Sequence, residues 1–265
     1  MIVDAHHHLW DPARREYPWM GDALRRPFGL EDLRTVTSPA GIDRTVLVQT
    51  VSDLGETQEF LDTAAASAGL IAGVVGWVDH TRDVPGQVAG LRHAELLRGI
   101  RHQVEDEPDP DWLTRAEVVA GVRSAGGLVV DLLVRTDQLP AAVALVDAVP
   151  ERSFVLDHGA KPPLGRDDFG WWREGVAELA ARPNVVCKLS GLFTLGHGEL
   201  LPTAVEHLLA VFGPGRLLFG TDWPVSTLAL DHPTVVERTR AFLDDLTDDE
   251  RTAVLSGNAV RTYRL

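Results

Sequence analysis

Short runs of aliphatic and β-branched residues alternate with longer segments of helical periodicity along most of the chain. Apolar runs with few polar interruptions are typical of strands buried on both faces of a parallel sheet. The predicted strands are 2–8, 44–49, 71–78, 97–102, 128–134, 153–157, 184–189 and 216–220. The predicted helices are 56–68, 84–97, 112–124, 139–149, 171–181, 201–212, 234–243 and 248–255.

Eight strands, each followed by a helical segment, fit an α/β fold of the (β/α)8 barrel type within 265 residues. We therefore expect one barrel domain that spans 1–265. A doubly wound sheet is the alternative, but it should carry a glycine-rich phosphate-binding turn after the first strand. Here the first strand ends in three histidines instead.

Composition narrows the class of protein and its partners. Hydrophobic residues make up 45% and charged residues 24%, which is typical of a globular protein in water. A net charge of -14 opposes binding to nucleic acid or to anionic membranes. Cys187 is the single cysteine, which rules out an internal disulfide and a cysteine metal cluster. No apolar run reaches transmembrane length, and the chain enters a strand at once, so we expect a cytoplasmic protein without a signal peptide.

The first predicted strand contains the first candidate functional residues, its histidines. Alternate side chains of a strand share a face, so His6 and His8 point the same way, about 6.6 Å apart along the strand, with His7 opposite. Two imidazoles on one face can bind a divalent metal such as zinc. A polar strand end without function is the simpler alternative.

Further polar residues follow the other predicted strands, and the carboxyl ends of barrel strands are where active sites of this fold lie. Each position alone has a structural explanation, such as a turn cap or a buried ion pair. Together they indicate one site. They are Gln49, Arg101, His102, Gln103, Glu105, Glu107, Asp157, His158, Lys161, Lys188, Ser190, Thr221 and Asp222.

These motifs carry a family resemblance. The stretches 4–10 (Asp-Ala-His-His-His-Leu-Trp) and 220–224 (Gly-Thr-Asp-Trp-Pro) resemble the amidohydrolase superfamily. The stretches 99–103, 156–162 and 186–192 are similar to its lactonase branch, which includes fuconolactonases and rhamnonolactonases. The resemblance runs from end to end. It implies a distorted barrel and hydrolysis at a carbonyl carbon, with His6, His8 and Asp222 at the superfamily's metal-binding positions.

Two departures from the superfamily pattern limit the metal content. Members with two metals have a carboxylated lysine on the fourth strand and a histidine on the fifth. This chain has Arg101-His102 on the fourth strand and Asp131 on the fifth. We therefore expect at most one divalent metal, zinc first. The resemblance to the lactonase branch covers both zinc-dependent and metal-free enzymes, so a metal-free site is the alternative.

Lactone hydrolysis requires a base for water, a donor to the oxyanion and a proton for the leaving alkoxide. Asp222 is the expected base and then the proton donor. The metal, Arg101 with His102, or His158 is expected to stabilise the oxyanion.

The predicted substrate contacts share a position near a strand end; they are Arg101, Gln103, Lys161, Lys188, Trp77 and Trp223. A core ion pair is the alternative for Lys188, and core packing is the alternative for the tryptophans, including Trp10.

The expected substrate is a small lactone, with a sugar aldonolactone favoured over an anionic aromatic-derived lactone. Two other functions compete. Related barrels decarboxylate aromatic acids with a similar pair of histidines, but they open on Glu-x-His-x-His, whereas this chain has Asp4 and no such glutamate. A non-catalytic barrel that binds small molecules is the second alternative. A homo-oligomer is compatible with the sequence, which does not determine the oligomeric state.

Overall fold

A computed structural model describes residues 1–165, 168–196 and 200–265. Eight parallel strands form one sheet in sequence order, which confirms the predicted (β/α)8 barrel. The strands are β1 (Val3–His7), β2 (Arg44–Val48), β3 (Ile71–Gly76), β4 (Leu97–His102), β5 (Val129–Leu132), β6 (Phe154–Leu156), β7 (Val185–Leu189) and β8 (Leu217–Phe219).

Apart from the last one, the helices cover the outside of the sheet, as parallel strands require for their crossover connections. They are α1 (Leu30–Thr37), α2 (Leu54–Ala66), α3 (Val84–Ala89), α4 (Ala116–Ser124), α5 (Leu139–Ala148), α6 (Phe169–Ala180), α7 (Leu200–Phe212), α8 (His232–Ala241), α9 (Asp248–Thr252) and α10 (Asn258–Tyr263). None of the helices among the described residues is long and apolar enough to cross a membrane.

The barrel closes where β1 meets the segment after β8. The backbone N–H of Asp222 donates to the carbonyl of His6 at 2.8 Å, and that of His8 donates to the carbonyl of Trp223 at 2.7 Å. These two bonds place the Asp222 carboxylate beside the histidines of β1. The closure is therefore also what assembles the site.

β1 contains a bulge that sets the direction of its histidines. Between Asp4 and His7 it advances three residues, while β2 advances two, from Thr45 to Leu47. An extra residue of this kind shifts the alternation of side chains by one place. His6 and His8 can therefore face inward, as predicted, while His7 faces outward and bonds Thr45 Oγ1 at 2.9 Å.

The barrel interior below the histidines is filled by the C-terminal end of the chain. Tyr263 of α10 is fully buried and packs among strand residues such as Val75 and Val129. Its hydroxyl donates to the Asp131 carboxylate at 2.8 Å. The interior thus has an apolar lower part and a charged layer beneath the site.

Two predicted helices differ from the structure, and one helix of the structure was not predicted. The helix expected over 84–97 ends at Ala89, because Gly90 follows and His93 adopts the left-handed conformation. Helix α1 was not predicted; its short apolar pattern is broken by threonines. The last helix expected at 248–255 continues instead through a π-helical turn, Ala253–Gly257, into α10.

Candidate active site

Three predicted metal ligands converge at the closure of the barrel. Nε2 of His6 lies 3.1 Å from Nε2 of His8. Oδ1 of Asp222 lies 3.4 Å from the His8 nitrogen and 3.8 Å from the His6 nitrogen. All three side chains are buried. The sequence spacing of His6 and His8 predicted their shared face, and the β8 segment supplies the third group.

Each histidine is held from its far side. Nδ1 of His8 bonds the carbonyl of Val48 at 2.7 Å, which assigns the proton to Nδ1 and leaves a lone pair on Nε2. Nδ1 of His6 lies 3.4 Å from Asp157 Oδ1 and 3.3 Å from Lys188 Nζ. Burial and the Lys188 charge hold the pKa of His6 well below its usual value, so this imidazole is neutral.

This donor set fits a single divalent metal. Ligand atoms of a tetrahedral zinc with bonds of about 2.0–2.2 Å lie about 3.3–3.6 Å apart, close to the separations among His6, His8 and Asp222. Two nitrogens and one carboxylate oxygen with an open position form a common set for catalytic zinc. Second partners that orient each imidazole, here Val48 and Asp157, are also typical of such sites.

A second cluster that could hold a metal shares His6 with the first. It contains His6, Asp157 and His158. The Asp157 carboxylate already accepts a hydrogen bond from Arg101 Nη1 at 2.8 Å, and Lys188 Nζ forms an ion pair with it at 3.0 Å. Because two cations occupy that carboxylate, the set with Asp222 is the better metal site.

Asp222 is charged at neutral pH. Burial raises the pKa of its carboxyl, but the neighbouring side chains of His158, His8 and Lys161 outweigh burial and hold the pKa below its usual value. The residue also sits at a φ of +56°. A left-handed conformation is unusual for a residue other than glycine and is found at functional sites.

His158 lies next to His6, with the two ring centroids 4.5 Å apart. Its Nδ1 bonds Ser190 Oγ at 2.8 Å. Burial lowers the pKa of His158 despite the nearby carboxylates of Asp222 and Asp157, so the ring is neutral. Gly191 leaves room for this ring, because a Cβ there would lie 2.5 Å from His158 Nδ1.

Asp157 is the residue whose role the sequence did not reveal. Strict alternation put it out of phase with His158, and it does not orient that ring. The chain instead leaves β6 in a tight turn with His158 and Gly159 at positive φ. This turn lets Asp157 point inward to His6 while His158 reaches the pocket.

Arg101 projects into the site from β4, but other groups already occupy its guanidinium. Nε donates to Gln49 Oε1 at 2.9 Å, Nη2 to the Gln49 carbonyl at 2.5 Å and Nη1 to Asp157 at 2.8 Å. Nη1 also lies 3.4 Å from His6 Nε2. Arg101 therefore supports His6 and has little capacity left for a bidentate contact with a substrate anion.

Lys188, predicted as a substrate contact, lies beneath the pocket and does not form part of its wall. Its side chain is fully buried, and Nζ lies 2.5 Å from Asp131 Oδ2 and 3.0 Å from Asp157 Oδ1. The core ion pair, which was the alternative for this residue, is the arrangement in the structure.

His102, predicted to be catalytic, lies outside the pocket wall. Trp77 Nε1 donates to its Nδ1 at 3.0 Å, and its Nε2 bonds Glu107 at 2.7 Å. The ring also stacks on Trp112 with centroids 4.3 Å apart. With both nitrogens bonded to protein, His102 anchors the segment after β4 and is not placed to meet a substrate.

A cavity of about 240 Å³ opens above the histidines, on the side of the barrel that the sequence indicated. Of the predicted contacts, Arg101, Gln103 and Lys161 line it, together with the predicted catalytic residues His158 and Asp222. Trp77 and Trp223 do not, and Trp223 is instead buried against Phe28.

Trp19 forms the aromatic part of the wall. Its Nε1 donates to the carbonyl of Thr50 at 2.8 Å. Trp19 comes from the irregular segment 10–27, in which no periodic pattern could have indicated that role.

The charges on the described pocket wall are mostly paired. Lys161 forms an ion pair with Glu105 across the opening, and Arg101 is bound to Asp157. Asp222 and Asp106 add negative charge. A neutral polar ligand therefore suits this cavity better than an anion.

A barrel that joins an inward-facing His-x-His pair on β1 to an aspartate after β8 defines a hydrolase-type metal or acid–base site. The sequence matches the amidohydrolase family over residues 3–265. The chain therefore belongs to the amidohydrolase family, as its motifs predicted.

Curated relatives match over nearly their whole length. An L-fucono-1,5-lactonase of Burkholderia ambifaria is 37% identical over 99% of this chain and 95% of its own. An L-fucono-1,5-lactonase of Burkholderia multivorans is 35% identical, over 99% and 96%. An amidohydrolase from Burkholderia multivorans, solved with bound zinc, superposes with a TM-score of 0.93 at 34% identity and covers 100% of this chain and 99% of its own.

Proposed function

We propose that this protein is a lactonase that opens the ring of a neutral sugar aldonolactone by attack of water at the carbonyl carbon. The observation that carries the proposal is the charged Asp222 carboxylate, held against His6 and His8 at the base of a small polar cavity. Two relatives above 30% identity that are named L-fucono-1,5-lactonase support the reaction class.

Asp222 starts the reaction as a base. Its Oδ1 faces both histidines, so we expect Oδ2 to take the proton from water as the oxygen adds to the lactone carbonyl. When the ring C–O bond breaks, the same carboxyl returns the proton to the leaving alkoxide. The only product is one hydroxy acid. The proton that Asp222 takes from water is the one that it returns to the alkoxide.

His158 is our candidate donor to the oxyanion. If the Ser190 hydroxyl donates to Nδ1, the ring proton is on Nε2, and His158 lies on the pocket wall. A neutral N–H donor placed in a dry pocket stabilises a developing oxyanion without a change in protonation. His158 is preferred over Arg101 and His102, because those two side chains are already bonded to protein groups.

The metal remains part of the proposal. His6, His8 and Asp222 would hold a zinc ion, which would supply Lewis acidity to the carbonyl and lower the pKa of a bound water. The bound zinc in the Burkholderia multivorans amidohydrolase supports this assignment. Without metal, we expect the same two histidines to contact the substrate directly.

The charge pattern favours a sugar lactone over an anionic aromatic-derived lactone. The permanent cations on the described pocket wall, Arg101 and Lys161, are paired with Asp157 and Glu105. An anionic substrate would need a free cation, and a sugar needs acceptors for its hydroxyl groups. The carboxylates of Glu105 and Asp106 provide such acceptors. The same reasoning weakens the decarboxylase alternative, whose substrates are carboxylate anions.

A pH-indicator screen tests the proposal. Its panel contains L-fucono-1,5-lactone, other aldono-1,5-lactones, an anionic aromatic-derived lactone and a hydroxybenzoate, each with zinc and with EDTA. We expect turnover of one or more neutral sugar lactones above the uncatalysed rate. Turnover of only the anionic lactone, or release of carbon dioxide without any lactone opening, would overturn it. Full activity in EDTA would assign His6 and His8 to the substrate and not to a metal.

A further inference from the structure

A second and larger depression adjoins the reaction pocket. It is a groove of about 930 Å³ between the segment after β5, the segment after β6 and one face of α6. Glu105, Lys161 and Leu195 line both the groove and the pocket. The two cavities therefore adjoin at these three residues, and a ligand that extends from the pocket into the groove would pass them.

Trp171 places an exposed indole ring on the wall of the groove. It is 76% exposed, whereas the other six tryptophans of the chain are buried or half-buried. The next residue, Trp172, is fully buried, and its Nε1 donates to the carbonyl of Gly159 at 2.7 Å. Trp172 thus fixes the orientation of α6, and Trp171 adds nothing to the core. An exposed indole in a groove is characteristic of ligand-contact surfaces.

The polar residues of the groove are mainly acidic. Glu174 and Glu178 follow Trp171 along one face of α6. On the opposite wall, Arg135 is paired with Asp137 at 3.1 Å. Carboxylates accept hydrogen bonds from hydroxyl groups and repel anions. An indole face next to several carboxylates suits the apolar face and the hydroxyl edge of a neutral sugar ring.

We propose that this groove binds a second sugar unit, so that the preferred substrates are aldonolactones that carry a glycosyl group. This inference rests on the proposed lactonase function and names its substrate class. In a 1,5-lactone, C4 lies opposite the carbonyl carbon across the ring. A lactone held with its carbonyl at Asp222 therefore turns O4 away from Asp222, and a sugar attached there would pass Glu105 and Lys161 to reach Trp171. Only the lactone C–O bond is hydrolysed, and the glycosidic bond stays intact.

The kinetic test compares glucono-1,5-lactone with cellobiono-1,5-lactone, which is the same lactone with a glucosyl group on O4. We expect kcat/KM to be at least tenfold higher for cellobionolactone. Trp171→Ala should remove this gain and leave the value for gluconolactone unchanged, and Trp171→Phe should keep part of it. Leu228→Ala is the control, because Leu228 is also exposed, at 56%, but lies outside the groove. Equal kcat/KM values for the two lactones, or a gain that survives Trp171→Ala, would overturn the proposal.

Calorimetry separates a failure of this inference from a failure of the lactonase assignment. It uses the unreactive alcohols cellobiitol and glucitol. At least tenfold tighter binding of cellobiitol, lost in Trp171→Ala, supports the groove even if neither lactone is turned over. Equal binding of the two alcohols contradicts the groove, whatever the screen of lactones shows.

Discussion

Replacing Lys188 by methionine tests the charged layer beneath the site. The Lys188 ammonium is fully buried and lies within 3.0 Å of two buried carboxylates, those of Asp131 and Asp157. Methionine has a similar length and no charge, so the change removes the cation with little loss of packing. The two carboxylates then face each other with Arg101 as the remaining cation at Asp157.

The expected loss of stability is large. Removal of one partner from a buried ion pair typically costs about 3–5 kcal/mol, because the other charge remains buried. For a chain of this size each kcal/mol shifts Tm by about 2–4 °C, so Tm should fall by roughly 6–20 °C. Burial already raises the pKa of Asp131 to about 6, although Lys188 opposes this rise. Without Lys188 that pKa rises further, and the loss should shrink as pH falls from 8 to 6 and Asp131 binds a proton.

Urea and thermal unfolding at pH 6 and pH 8 measure both effects. Lys161→Met is the matched control, since the chain has only these two lysines and Lys161 is about one-third exposed. Its loss should stay within about 1 kcal/mol. Adding Asp131→Asn to Lys188→Met should restore part of the stability. Equal losses for the two lysine variants would refute the reasoning and reopen a substrate role for Lys188.

Three further changes test other parts of the structure. His80 follows β3, is buried, and bonds the carbonyl of Val78 through Nδ1 at 2.9 Å. Burial lowers its pKa to about 4, so its contribution to stability is complete above pH 6.5 and is lost as pH falls toward 4. The difference in unfolding free energy between His80→Gln and the wild type should change by about 3 kcal/mol over that window, and a constant difference would contradict this expectation. Gly191→Ala should reduce kcat at least tenfold, because the new Cβ would displace the His158 ring. Gly126 has the same φ of +64° but no atom near the position of a Cβ, so Gly126→Ala should reduce only stability. Equal activities of the two variants would exclude a steric clash with His158. His102→Gln should lower kcat/KM less than tenfold, because both ring nitrogens bond to protein; a loss of hundredfold or more would restore its catalytic role.

The sequence predicted the barrel and the shared face of His6 and His8, because the regular alternation of strands and the position of side chains along a strand are local properties. It also predicted that Asp222 meets them, through the family motif after β8. The sequence did not predict contacts that depend on irregular backbone conformations. The turn after β6 turned Asp157 toward His6, and the irregular segment 10–27 brought Trp19 to the pocket.

Lys188 and His102 show a second limit. A charged residue near a strand end looks the same in sequence whether it faces the pocket or the barrel interior. The partners that decide the matter, Asp131 for Lys188 and Trp77 for His102, are distant in sequence. Whether each side chain faces the pocket or the interior depends on its burial and on these distant partners. Neighbouring residues in the sequence do not reveal either.

The kcat/KM of Asp222→Asn tests the central claim most directly. The assay uses the sugar lactone that the wild type opens fastest, with unfolding curves to show that the fold is retained. We predict a loss of about 10²–10⁴-fold, the usual contribution of a general base. Asp245→Asn, at an exposed position, should match the wild type. Activity of Asp222→Asn within threefold of the wild type would contradict the account.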